Sequence, residues 1–401
     1  MATNNPGDLD HTFGTEGLAH ITQPGKSFFQ VHGVTLTKAG KLLTPGSYTD
    51  DTGKHIYYSL GRRTHLGHPD NFGEGDSVSG RFTEDASLSS MGQKAFELEN
   101  SRILLSGRFI DGTTSVLAAF ARFDINGNPD HSFGENGRYV ARSPLIPEYG
   151  SAHDPYTDAC IQSHQYLLSI NPYVTHHNVT TVMVRSTHDG RRDATFNNNQ
   201  EYVDTRQYAD EQIRLSSIAT QHDDKIVTCG YTEDRVGIRR GIILRYEKDG
   251  LADSAFTFRR EGWKPEHIIV VNERILCCGS TGSGEALLFE LDTEGNLQGE
   301  PSITPINLSN RWTKMAWQDN KLVLIGERKS AFGSQLVVAR FNNDRTLDRS
   351  FGTGGYASID YGASESAPID VTYDTQKGIV ILASAKANIG DSQYYLARLF
   401  S

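Results

Sequence analysis

The sequence predicts an all-β fold, a seven-bladed β-propeller with four antiparallel strands per blade, on three observations. A short apolar strand ending mostly in Gly recurs seven times, and a turn signature built on Asp and Phe recurs between its copies. The two chain ends each carry the part of a repeat that the other lacks. Repetition of one sheet-forming unit reads as a radial array, so the 401 residues are expected to form one domain, 1–401, rather than several.

The recurrent strand appears as Leu42–Gly46, Ile103–Gly107, Tyr166–Ile170, Ile226–Gly230, Ile275–Gly279, Leu322–Gly326 and Ile379–Ala383. Before most copies an apolar strand ends in a tight polar turn, as at Lys38-Ala39-Gly40, Glu99-Asn100-Ser101, His222-Asp223-Asp224 and Gln318-Asp319-Asn320. Turn-forming residues between apolar runs signal hairpins. After each copy comes a longer variable loop and a third strand, such as Val116–Phe123, Ile242–Tyr246 or Gln335–Phe341.

The turn signature follows the third strand and leads into a short fourth one. It is clearest at Leu9-Asp10-His11-Thr12-Phe13-Gly14 and Leu347-Asp348-Arg349-Ser350-Phe351-Gly352. Its Phe residues at 13, 72, 133, 196 and 256 are spaced by 59, 61, 63 and 60 residues. Residues 9–22 hold the signature and a fourth strand without the preceding three, whereas 368–401 hold three strands and no fourth. The ends therefore complete one blade, which leaves the ring without an open edge. Blade cores are expected near 28–82, 93–140, 157–203, 215–262, 266–307, 313–359, and 368–400 plus 9–22.

On these residues the chain resembles the bacterial delta-60 repeat family, whose units end in Leu-Asp-x-Ser-Phe-Gly-x-x-Gly. Leu347–Gly355 matches throughout, Leu9–Gly17 has Thr12 for Ser, and Pro129–Gly137 has Pro129 for Leu. The resemblance implies a bacterial origin and a repeat fold, and no activity.

Inside the repeat, Arg122, Arg185, Arg245 and Arg340 lie eleven residues before the signature Phe, and Asp130, Asp193, Asp253 and Asp348 lie three before it. Arg398 and Asp10 supply the same pair from opposite chain ends. Where Glu290 or Gly61 replaces the Arg, Gln298 or Pro69 replaces the Asp. Joint loss points to a structural ion pair across the turn rather than to anion ligands.

A net charge of -10 and the absence of a basic run exclude the footprint of a nucleic-acid binder. No stretch reaches the ~20 apolar residues of a membrane span, and residues 1–10 hold no apolar signal core. The chain is thus expected to be cytoplasmic or exported without a signal. Cys160, Cys229, Cys277 and Cys278 sit in apolar strand patterns, as buried hydrophobes do. No cofactor is expected. Asp124–Asp130 alternates oxygen side chains like a calcium loop, but its sister turns lose them, so it reads as a hairpin cap. His65, His68, His176 and His177 lack the further ligands of a metal site.

The connections between second and third strands and between blades share one face and vary between copies. Tyr48, Arg108, His153, Tyr156, Tyr173, His177, Tyr208, Tyr231, Arg235, Trp263, Trp312 and Arg328 lie there as candidate ligand-binding residues. Aromatics interspersed with Arg suit sugar stacking or a protein hot spot, so a carbohydrate or protein partner is expected without catalysis. The alternative is a polysaccharide hydrolase or lyase using His153, His177 and carboxylates such as Asp154, Asp158 or Asp210 at the central channel.

Overall fold

In the computed structural model each recurrent strand is the second strand of a four-stranded antiparallel blade, and seven blades close the ring. The structure describes residues 4–401 apart from 24, 86–87, 112–114, 143–156, 175–178, 201, 205–210, 306, 331–332, 375–377 and 387–391. Blade two is typical, with Ser89–Glu97 innermost, then Ile103–Asp111, Ser115–Phe123 and Arg138–Val140 at the rim. In blade one the innermost strand is split into Ser27–Val31 and Thr35–Leu36. No helix among the described residues is long and apolar enough to cross a membrane.

Blade seven is joined as the sequence implies. Leu18–Ile21 pairs with Gln393–Leu399, Leu18 opposite Ala397 and Ile21 opposite Tyr394, as the outer strand of the sheet that ends the chain. Apolar cores lie between neighbouring sheets: Ile325 and Val338 of blade six pack with Ile379, Ile381 and Leu399 of blade seven.

The recurrent Gly has a steric cause. Opposite it the innermost strand bulges, with register slips between Gly92 and Lys94, Leu215 and Ser217, Pro265 and His267, and Trp312 and Lys314. A Cβ on Gly107, Gly230, Gly279 or Gly326 would lie 2.1, 2.0, 2.1 or 2.1 Å from the carbonyl oxygen of Met91, Arg214, Lys264 or Arg311. The bulge brings that carbonyl into the space a side chain would need.

The turn signature is explained residue by residue in blade six. Leu347 fills the space where a Cβ on Gly355 would stand, at 2.4 Å from Leu347 Cγ, and Gly355 has a φ of 104°. Asp348 accepts the amide and hydroxyl of Ser350 on Oδ1 (3.1 and 2.6 Å) and Arg340 Nε on Oδ2 (2.8 Å). The Arg340 guanidinium lies 4.7 Å from the centre of the buried Phe351 ring. Gly352 N–H then leaves its own blade and donates to Pro6 O, 2.7 Å away.

The Arg–Asp pair also reaches further than one hairpin. Arg122 donates to His188 O (2.6 Å) and Arg398 to His65 O (2.6 Å), each in the turn of the following blade. Arg62, Arg185 and Arg245 donate likewise to Ile125 O, Lys248 O and Thr293 O. The signature Phe packs against the glycine of that same turn: a Cβ on Gly190 or Gly250 would strike the Phe133 or Phe196 ring at 2.9 or 2.4 Å.

Two copies differ from the sequence reading. Blade one keeps the pair as Arg62 and Asp70, 2.6 Å apart; Asp70-Asn71-Phe72 is one residue shorter than its sisters, so the spacing from Phe72 falls on Gly61 and Pro69 instead. In blade five the charges are reversed. Glu290 accepts Arg274 of its own blade (2.8 and 2.6 Å) and pairs with Arg345 from the turn of blade six.

Candidate functional site

The bulges govern what the inner wall presents. Each inserts one residue and re-aims the strand beyond it, so the residues following the bulge line the axis of the ring. They do not repeat: Lys94, Ser217, His267, Lys314 and Asp370 occupy this place in blades two, four, five, six and seven, and Asp158 begins the innermost strand of blade three. Charge interactions tie Asp158 to Lys94, Lys314 and His267, and Asp370 to Lys314 and Lys94. Groups from five blades are mutually near only at the centre of the ring.

Asp158 is saturated. Its Oδ1 accepts Lys94 Nζ (2.8 Å) and Ala159 N–H (2.9 Å), and its Oδ2 accepts Ser217 Oγ–H (2.8 Å) and Ile218 N–H (3.1 Å). Burial raises the acid's pKa, but the Lys94 and Lys314 charges outweigh it and leave the carboxyl well below the usual range. Asp370 accepts Val371 N–H on Oδ1 (2.9 Å) and Val34 N–H on Oδ2 (3.0 Å), and here burial prevails and the pKa rises. His267 Nδ1 accepts Met315 N–H at 3.3 Å. Burial, with Lys314 beside it, keeps this imidazole neutral. That bond assigns its proton to Nε2.

Three of these residues join blades, since Ile218, Met315 and Val34 all belong to the next blade round the ring. Lys314 differs: it is half-buried, and its side chain makes no hydrogen bond or ion pair among the described residues. Of this group sequence reasoning named only Asp158. The available signal was the partner of the fourth residue of each recurrent strand, where Lys94 faces Ser106, His267 faces Cys278, Lys314 faces Ile325 and Asp370 faces Leu382.

The twelve residues of the variable face do not share one environment. Trp312 is fully buried, edge-on to Phe341 at 6.2 Å. Tyr48, Arg108 and Tyr231 are buried too: Tyr48 stacks on Tyr57 (5.2 Å) under Lys26 (4.5 Å), while Lys264 and Arg239 flank the Tyr231 ring. With the Gln93 amide turned so that its oxygen faces the guanidinium, Arg108 donates to it from Nε (3.0 Å) and Nη2 (2.8 Å). Trp263 is half-buried against Phe289 (4.9 Å), and Arg235 and Arg328 are exposed, with Arg328 donating to Gln335 Oε1 (2.6 Å). Tyr173 lies in the strand Tyr166–Val174. His153, Tyr156, His177 and Tyr208 lie outside the described residues, as do Asp154, His176 and Asp210. The structure brings Tyr231 and Trp263 to adjoining blades through Lys264, but it does not gather the described members of the set around one cavity.

The Asp124 turn caps itself: Asp124 accepts Asn126 N–H (2.8 Å), Asn128 N–H (2.9 Å) and Asn128 Nδ2–H (2.9 Å). Among the described residues no three His, Cys, Asp or Glu side chains cluster as metal ligands. The cysteines are free thiols, and burial pushes those of Cys160 and Cys229 up to about 12.

Residues 221–256 and 318–351 match the family model described as Domain of unknown function (DUF5122) beta-propeller. These segments run from the first turn of blades four and six through the signature Phe. No curated protein matches the sequence. Among solved structures, the polysaccharide lyase Uly1 superposes with a TM-score of 0.51 at 10% identity, covering 96% of this chain and 93% of that one. A Trypanosoma rangeli sialidase gives 0.42 at 11% identity over 98% of this chain, which spans 58% of the sialidase. The propeller domain of the Trilobed protease from Pyrococcus furiosus gives 0.46 at 10% identity, with 92% and 94% covered. At these identities the likeness is one of fold.

Proposed function

We propose that the chain is a noncatalytic binding propeller that takes a carbohydrate or protein partner on the face carrying the variable loops. The reading treats 1–401 as one domain of the delta-60 repeat type. One observation carries it: Asp158 is saturated and the carboxylates of Glu266, Glu327 and Glu211 are held by cations, which leaves Asp370 with spare acceptor capacity. Asp158 and Asp370 hold backbone amides of neighbouring blades. Glu266 pairs with Lys264 (3.2 Å) and Arg311 (3.4 Å), Glu327 with Arg311 (2.9 Å), and Glu211 with Arg240 (3.3 Å). A glycosidase needs two carboxyl groups free to face its substrate. Arg235, Trp263 and Arg328 remain the described candidates with surface to offer a ligand.

A second reading, a polysaccharide-degrading enzyme, draws support from Asp158 and Asp370, whose surroundings push their acidities in opposite directions as in acid–base pairs. A glycan array with a partner pull-down, run beside product analysis on polysaccharides, separates the two. Retention of a glycan or a defined protein without cleavage products is expected; shortened products would overturn the binding reading.

A further inference from the structure

We infer that the channel holds a carboxylate-bearing sugar, its acid group bound by Lys314 and His267 and its hydroxyls by Asp370. This deepens the binding reading above and rests on it.

The inference starts from unmatched donors. Lys314 carries three N–H groups and no acceptor among the described residues, although it shares the axis with two carboxylates. Lys94 shows the contrast, because its ammonium is taken by Asp158 at 2.8 Å. His267 stands on the neighbouring blade and spends Nδ1 on Met315 N–H, which leaves Nε2–H as a second donor with no acceptor among the described residues. Both side chains are only half-buried, so each keeps some surface open to solvent. An ammonium and a neutral imidazole N–H on adjacent strands together ask for one oxyanion.

The counter-charges decide which oxyanion. Two lysines and two aspartates share the centre, so it has little net charge to hold a dianion such as phosphate. Each oxygen of Asp370 accepts a single backbone N–H, leaving acceptor capacity for hydroxyl donors. A ligand that offers one carboxylate and several hydroxyls meets all three groups, and a uronic acid is of that class.

The test is calorimetric titration of the full chain with a galacturonate oligosaccharide, its uncharged galactose counterpart, and inorganic phosphate. Two variants accompany the native chain. Lys314→Met keeps the length of the stem without the charge. His267→Asn leaves an oxygen for Met315 N–H and removes the Nε2 donor. Galacturonate binding is expected, weakened tenfold or more in Lys314→Met and severalfold in His267→Asn while both melt as the native chain does. No binding of galacturonate to the native chain, equal affinity for the neutral sugar, tighter binding of phosphate, or unchanged affinity in both variants would each overturn the inference. Neutral-sugar binding that ignores Lys314 would overturn it while leaving the binding-propeller reading in place, and cleavage of the oligosaccharide would overturn that reading instead.

Discussion

Arg398 and Asp10 close the ring from opposite ends of the chain, and truncating them tests whether the signature pair is a coupled unit. Both are buried, 3% exposed, with Arg398 Nε at 2.7 Å from Asp10 Oδ2. Asp10→Ala leaves the guanidinium with only His65 O, a long contact to Thr12 Oγ (3.3 Å) and the Phe13 ring. Arg398→Ala removes all of those contacts and leaves the Asp10 carboxylate to the Thr12 amide and hydroxyl (3.0 and 2.7 Å). Breaking a buried pair on one side costs about 3 to 5 kcal/mol, because the remaining charge is stranded. We expect about 3 kcal/mol for Asp10→Ala and about 4 for Arg398→Ala, which also loses the link to blade one. The double variant should cost about 5 rather than 7, a coupling of about 2 kcal/mol. Urea unfolding of the four proteins at pH 7 measures it. Losses that add to within about 0.5 kcal/mol would refute the pairing, since independent sites add to that precision.

Three further outcomes follow from the same framework. Gly230→Ala places a methyl 2.0 Å from Arg214 O, so the bulge must shift, and urea unfolding should show a loss of about 1 to 3 kcal/mol, the usual range for overpacking, whereas a native-like midpoint would contradict the steric cause. Burial raises Asp10, Asp130, Asp193 and Asp348, but their Ser or Thr caps and Arg partners outweigh it and hold each below the ordinary carboxylate pKa. A depressed carboxylate contributes stability that is present above its unfolded pKa of about 3.9 and is lost as the pH falls through the folded value, so melting temperature should be level from neutral to about pH 5 and drop below about pH 4. Calcium titration should give no heat from the Asp124 turn, whose carboxylate is already capped by Asn126 and Asn128; a stoichiometric signal abolished by Asp124→Ala would reverse that assignment.

What could be read before the structure was what repeats. The split signature at 9–22 and 368–400 defined the closing blade, and the paired occurrence of Arg340 with Asp348 pointed to their contact. The reach of Arg122 to His188 O was invisible, because a backbone carbonyl leaves no trace in side-chain identity. Arg62 and Asp70 were missed because one deleted residue moved them out of register with Phe72. Lys94, His267, Lys314 and Asp370 were missed for a different reason: each is one of several polar residues in a mixed strand, and only the bulge distinguishes it from its neighbours. The large aromatics on the variable face were ambiguous from the start. Trp312 shows why, since a ring at the start of an innermost strand can fill the gap between blades as readily as it can meet a ligand.

The reach of Arg62, Arg122, Arg185, Arg245 and Arg398 into the next turn gives the ring a rotational sense. Within one repeat lie both the hand that grips forward and the turn that is gripped from behind, so a duplicated repeat arrives already able to join both neighbours, and such a ring can gain units without inventing a new contact. The seam between blades five and six runs against this current: there Arg345 of the later blade reaches back to Glu290 and to Gln298 O. A copied ordinary repeat inserted at that seam would bring a forward grip toward a turn whose arginine already points the other way. That boundary is where the ring should resist lengthening.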